Sequence, residues 1–525
     1  MANGIESASF MGYSIKNILG GKTLYHEDRD IMKLSPFSLS QIENTLYHLN
    51  YRWNLQALAL WKGDSIPFKA YELYEGYDDF ISLDTLSDID HVAMEPEKQR
   101  LRFALIDHYL QRTLLPHENE MRAWMKGAAA HVDEEKIYFR EIIPWCQKFS
   151  NYEKRQVLQK ETGPLCKFLK PFALNYWKIL LKILTDELGY ENYVAYCKEK
   201  KGIDYASYYK LLKELLEATD ELYFGAMERW CREKFARPLS DLTRFDAINL
   251  LSLRQFDDLF PGKGLDALTP FFNIWGIDPA KTPGLTLELG REAGKSAQAI
   301  CLMLQVPEEI YVLMRPEGGW GDLETLWHEL GHGLSAVFTS PDLSMVMRDM
   351  GTSFALSESF AFLLQNLALS RPFLKDFMGL STEDSKTLSY HKTLKDLAMF
   401  RRYAAKFLSE YDMFLTGDLS SGEPYAQTMA RYTGFYYQPE SHLFDLVPEL
   451  YCLDYVLGWM AETVLEKHLR ESLGTRWMFE PETGRILKGW WRQGNQYSLL
   501  EFLARNHLLE MSPDLMIKRW EKNLS

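Results

Sequence analysis

Apolar residues recur every three or four positions through most of this chain, and the period seldom gives way to the alternation of a half-buried strand. Between residues 38 and about 255, SLSQIENTLYHLNYRWNLQALALW, PEKQRLRFALIDHYLQRTLL and DYASYYKLLKELLEATDELYFGAMERWCREKF each read as amphipathic helix. Pro116, Gly163 with Pro164, Pro171, Lys201 with Gly202, and Pro238 are expected to punctuate these helices. The pattern changes between 258 and 322, where DLFPGKGLDALTPFFNIWGIDPAKTPGL is rich in Pro and Gly. Two short apolar segments follow, AICLMLQV and EEIYVLMRP, and these read as strands. After PEGGWGD the helical period returns through FRRYAAKFLSEYDMFL, DYVLGWMAETVLEKHLRESL and SLLEFLARNHLLEM. The prediction is a mainly α protein with a small β-sheet, a helical part over 1–255 and a second part over 256–525, its chemistry placed where the sheet meets the helices.

Composition narrows the function. With 46% hydrophobic and 14% aromatic residues in 525, the chain is long enough and apolar enough to bury a catalytic cleft. A formal net charge of −14 gives no basic face for phosphates, so nucleic acid is not an expected partner. The first 25 residues lack the apolar core and small-residue cleavage site of a secretion signal, and no run is apolar enough to span a membrane, so a cytoplasmic location is expected. Cys146, Cys166, Cys197, Cys231, Cys301 and Cys452 are far apart, with no CxxC pair, which leaves histidine and carboxylate as the plausible metal ligands.

Those ligand types come together in TLWHELGHGLSA, residues 325–336. An HExxH pattern arises by accident in a chain of this composition at a rate of roughly 2%. Asp322 can cap the helix, and Leu323, Leu326, Trp327, Leu330, Leu334 and Val337 form its apolar stripe. His328 and His332, at i and i+4, then project side by side toward one ion, with Glu329 beside the place of a metal-bound water. Gly331 and Gly333 each cost a helix interior about 1 kcal/mol, which suggests that another backbone approaches closely there. A catalytic zinc usually takes a third protein ligand. The apolar run GTSFALSESFAFLLQNLALS offers one acid, Glu358, whose burial needs a partner such as a metal or a basic side chain.

His328, Glu329, His332 and Glu358, with the helix SESFAFL, resemble the gluzincin pattern of the thimet oligopeptidase and oligoendopeptidase F family of zinc metallopeptidases. REAGKSAQAICLMLQVPEEIYVLMRPEGG resembles that family's GK…AxC segment and edge strand, and LYCLDYVLGWMAE resembles its tyrosine-bearing helix. The resemblance covers about residues 285–470, and it departs from the thimet-type pattern where HLFDLVPEL replaces a glycine-rich loop and Gly458 stands in place of a further tyrosine.

The resemblance implies a two-lobed helical metallopeptidase with a deep channel for short peptides. It implies one zinc ion on His328, His332 and Glu358, Glu329 as general base for a zinc-activated water, and Tyr455 as donor to the oxyanion. His442 and Tyr451 would bind substrate. EEIYVLMRP would be the edge strand on which an extended peptide pairs, with its tyrosine (Tyr311, next to Val312) among the substrate-binding residues. The activity expected is hydrolysis of internal bonds of short peptides. The alternatives are a carboxypeptidase or dipeptidyl-carboxypeptidase on a related scaffold, with Arg348, Arg401 and Arg402 as available cations, and a non-catalytic peptide-binding relative.

Overall fold

A computed structural model describes residues 37–524, apart from 65–68, 70–71, 150, 261–262, 293 and 297. The start of the chain, where no secretion signal is expected, lies outside the described residues. Helix accounts for 70% and strand for 5%, so the protein is mainly α. Among the described residues no helix is long and apolar enough to cross a membrane.

The helices begin and end where local chemistry favours it. The first described helix, Leu39–Lys62, opens on a capping box between Ser38 and Gln41 and closes on the left-handed Gly63. Tyr193–Lys201 likewise ends on Gly202, as the Lys201–Gly202 break predicts. Three of the expected breaks are absent. Pro116 lies within Glu97–Gly127, and Pro164 and Pro171 lie within Tyr152–Lys182. An interior proline costs about 3 kcal/mol. Both helices run for 31 residues and bury long stripes, including Leu101, Leu105 and Leu114 in one and Leu158, Cys166, Leu169 and Trp177 in the other, and this burial offsets the penalty.

The sheets also differ from expectation. A hairpin, β1 (Ala129–Val132) with β2 (Glu135–Tyr138), interrupts the N-terminal helices. Its four-residue strands are too short to give a legible alternation. The second sheet holds β3 (Leu285–Glu288), β4 (Ile300–Gln305) and β5 (Glu309–Leu313) in the order β3-β5-β4. β3 runs parallel and β4 antiparallel to β5. The segment EEIYVLMRP therefore forms the centre of the sheet and not its edge, because β3 emerges from the Pro- and Gly-rich stretch and pairs on the far side. The edge nearest the helices is β4, and the Leu39–Lys62 helix lies against it, with Asn54 Nδ2 donating to the Met303 carbonyl at 2.9 Å.

Three helices pack together beside this sheet. The motif helix is Trp320–Val337, the glutamate helix Ala355–Ala368 and the tyrosine helix Tyr451–Leu473.

Candidate metal centre

The motif helix starts at Trp320, after two glycines with φ near +92° that turn the chain out of β5. Asp322 does not cap it directly. Gly319 is the N-cap, and the Asp322 carboxylate reaches back to accept from the N–H groups of Glu317 and Gly318 at 3.0 and 2.7 Å. Leu323, Leu326, Trp327, Leu330 and Leu334 are fully buried, and Val337 packs partly buried against the same core. The Trp327 ring packs on Phe271, Phe272 and Phe373 with centroids 4.8 to 5.0 Å apart. This stripe fixes the helix rotation and leaves His328, Glu329 and His332 facing a cavity.

The two glycines serve different neighbours. A Cβ on Gly331 would lie 2.4 Å from the Ala361 Cα of the glutamate helix, so the two backbones touch there. A Cβ on Gly333 would meet side chains of the sheet, Val312 at 2.9 Å and Leu285 at 3.2 Å. Gly458 of the tyrosine helix occupies a third close approach, 2.4 Å from the Glu358 Cβ. Where the family pattern suggests a tyrosine, this chain has a residue that lets the tyrosine helix rest on the metal-ligand candidate.

At the crossing, ligand atoms of His328, His332 and Glu358 all lie within 4.8 Å of one another. His328 Nε2 is 3.5 Å from one Glu358 oxygen and His332 Nε2 is 3.7 Å from the other. Two ligand atoms bound tetrahedrally to a common zinc are separated by about 3.3 Å, so the set needs little contraction to hold one. Each imidazole is engaged through its other nitrogen. His328 Nδ1 meets Gln365 Oε1 at 2.8 Å, and His332 Nδ1 meets the Ser357 hydroxyl at 2.7 Å. Glu358 is 2% exposed, and its Oε2 has no hydrogen-bond partner among the described residues. A buried carboxylate oxygen left alone is costly, and a cation is the partner this one lacks. Arg348 is not that partner; its guanidinium lies 3.6 Å from Glu308.

The electrostatics of the two histidines agree with the donor set. Burial holds His328 well below the usual histidine range and brings His332 down to about 4, so both imidazoles are neutral, as metal ligands must be. Burial raises Glu358 to about 8, against a lowering hydrogen bond from Tyr451. It also raises Glu329 to about 7, although the Cys301 N–H donates to that carboxylate.

Two cavities meet at this point. One of about 450 Å³ is walled by β4, His328, His332, Glu358 and Tyr451. The other, about 300 Å³, contains Arg402, Gln365 and Trp459 in its wall. Ala299, Glu329 and Tyr455 line both.

The tyrosines divide in role. Tyr451 donates its hydroxyl to Glu358. Tyr455 packs its ring between Phe362 and Tyr403 at 4.8 and 4.7 Å, and its hydroxyl makes no hydrogen bond among the described residues. Two expected substrate contacts lie elsewhere. His442 is fully buried, with its ring nitrogens on the carbonyls of Pro439 and Leu419 at 2.8 and 3.0 Å, and lines neither cavity. Tyr311 packs toward the Leu39–Lys62 helix and hydrogen-bonds Glu309 at 3.2 Å, while Val312, on the opposite face of β5, is buried under Gly333. Gln365 and Ser357 are not among the candidates the sequence offers. Gln365 stands seven positions after Glu358 and Ser357 directly before it, so two turns of helical spacing carry the signal for the first. No protein-family model matches the chain, and no curated protein matches it.

Proposed function

We propose that this chain is a zinc-dependent peptidase cleaving internal bonds of short peptides, on the plan of the thimet oligopeptidase and oligoendopeptidase F family. The observation that carries the proposal is the convergence of His328, His332 and Glu358 around an otherwise unpartnered buried oxygen, with Glu329 on the adjoining cavity wall. His328, His332 and Glu358 hold the ion. A bound zinc supplies Lewis acidity toward a peptide carbonyl and toward water.

The chain's own groups do the rest. Glu329, raised to about 7, takes a proton from the attacking water and returns it to the leaving amine. Tyr455, with its hydroxyl unengaged, donates to the carbonyl oxygen as charge develops. Tyr451 is committed to Glu358 and orients that ligand. The cavities on either side of Glu329 form the channel of a two-lobed molecule, so a peptide extends in both directions from the cleaved bond. Pairing along β4 is limited, because Asn54 already occupies the Met303 carbonyl. The Cys301 N–H is likewise taken by Glu329, so backbone recognition along β4 is short, which suits broad sequence tolerance in short substrates.

A carboxypeptidase would need a free cation for the terminal carboxylate. Arg401 is fully buried on Asp220, Thr219 and two carbonyls, Arg402 bonds Asp445 at 2.6 Å, and Arg348 faces Glu308.

The test compares wild type with Glu329→Gln for zinc content and for hydrolysis of a quenched-peptide library. One zinc per chain is expected in both, with activity in the variant lower by about 100- to 10,000-fold. Wild type without zinc overturns the proposal, and a fully active variant removes Glu329 as the base. Amidating the peptide C-terminus should leave the cleavage rate within about twofold, as internal cleavage requires.

A further inference from the structure

Two adjacent lysines, Lys200 and Lys201, end the Tyr193–Lys201 helix, and each is only 5% exposed. A buried ammonium loses several kcal/mol of hydration and needs counter-charge. The counter-charges come from remote parts of the chain. Lys200 Nζ lies 2.6 and 2.7 Å from the two Asp107 oxygens and 2.6 Å from Glu449 Oε1. Lys201 Nζ donates to the Glu449 carbonyl at 2.8 Å and pairs with Asp454, which is fully buried. Asp454 then accepts from the Ser353 hydroxyl and, at 3.3 Å, from the Phe354 N–H. Those two residues open the glutamate helix just before Glu358, and Asp454 itself stands between Tyr451 and Tyr455.

The backbone entering the tyrosine helix is strained at this junction. Glu449 and Leu450 have φ of +58° and +51°, two consecutive left-handed residues of which neither is glycine. Each such residue is disfavoured by about 1–2 kcal/mol and persists only where its surroundings impose it. Here the Tyr193–Lys201 helix imposes it. The Tyr193 hydroxyl takes the Glu449 N–H at 2.7 Å, Lys201 takes its carbonyl and Lys200 its carboxylate.

We infer that Lys201, with Lys200, is a positioning group: it clamps the strained 449–450 turn and the Asp454 junction, setting Tyr451 on Glu358 and Tyr455 at the cavity wall. The kinetic part of this inference rests on the proposed peptidase activity; the positional part does not. Lys201→Met combined with Asp454→Asn removes both buried charges together and keeps an acceptor for Ser353 and Phe354. The variant should bind zinc, lose at least tenfold in kcat with KM within threefold, and exchange the backbone amides of residues 449–456 at least tenfold faster. Unchanged exchange overturns the clamp, as does a rise in KM at constant kcat, which belongs to a substrate contact. If wild type hydrolyses no peptide, the peptidase proposal falls alone, and the exchange rates still decide the clamp. Should the double variant fail to fold, Asp454→Asn alone carries the same test, since it breaks the Lys201–Asp454 pair while Lys200 keeps Asp107 and Glu449; it should speed exchange at 449–456, and no change overturns the inference.

Discussion

The motif helix and the tyrosine helix each press a glycine against the glutamate helix, and there the likeness stops. The motif helix is fixed by its own buried stripe and an aromatic nest, so the placement of His328 and His332 follows from local periodicity. The tyrosine helix enters through a left-handed turn held by lysines some 250 positions away in the chain. Its hydrophobic pattern cannot specify where Tyr451 and Tyr455 point. The His328–His332–Glu358 cluster is thus a property of two neighbouring helices, whereas the placement of Tyr455 is a property of the whole fold.

The largest effects should come from the two contacts the helices share. Gly331→Ala puts a Cβ 2.4 Å from Ala361 Cα and 2.7 Å from the Phe360 carbonyl, backbone that cannot yield cheaply. A loss of about 3 kcal/mol or more is expected. Gly458→Ala collides with Glu358 itself, so a comparable loss should bring a larger fall in zinc affinity. Gly333→Ala meets side chains and not backbone, Val312 at 2.9 Å and Leu285 at 3.2 Å, and the helix propensity regained, about 1 kcal/mol, offsets part of that clash, so its loss should be clearly smaller than at Gly331. Thermal unfolding and zinc competition on the three variants check this order; equal losses at Gly333 and Gly331 would erase the distinction between backbone and side-chain contact.

The second effect is a pH dependence of stability beside the larger cavity. Asn50 lines the larger cavity, and its Oδ1 is 2.9 Å from Nε2 of the buried His108, whose Nδ1 faces the Tyr74 hydroxyl at 3.2 Å. Burial pushes His108 down to about 4 from its ordinary 6.5. Between those values the unfolded chain binds the extra proton, so stability is full above pH 6.5 and falls on acidification, by about 2–3 kcal/mol at pH 4.5. His332, also brought down to about 4, adds to the same decline in metal-free protein. The His108 share is the difference between wild type and His108→Gln in unfolding free energy from pH 7.5 to 4.5. Parallel curves would show that His108 does not titrate in this window.

The contrast also explains what could be read from the sequence. Helical period located the motif, glutamate and tyrosine helices, and the i, i+4 spacing put His328 and His332 on one face. Pro116, Pro164 and Pro171 misled because a proline's local cost says nothing about the stripe buried around it. EEIYVLMRP reads as an edge strand because the strand that covers it, β3, is four residues long and hidden in Pro- and Gly-rich sequence. His442 matches a motif position, yet its surroundings are the carbonyls of Pro439 and Leu419, which no spacing along the chain announces.

The smallest of these effects probes how far local control of the ligands reaches. Gln365 Oε1 faces His328 Nδ1, and its Nε2 donates to Glu324 at 3.3 Å. Glu324 is ion-paired to Lys395 and, at 3.7 Å, to Lys392. The carboxylate fixes which way the amide points, and the amide oxygen then places the His328 proton on Nδ1, leaving Nε2 bare for a metal. Gln365→Leu keeps the volume and removes the acceptor, so zinc affinity should fall by about 10- to 100-fold. Ser357→Ala does the same to His332, but that imidazole is half-buried and water can replace the hydroxyl, so less than tenfold is expected. Competition with a chelator measures both. Equal losses would mean that the Glu324–lysine group adds nothing beyond Gln365, and that ligand geometry is set within the two crossing helices alone.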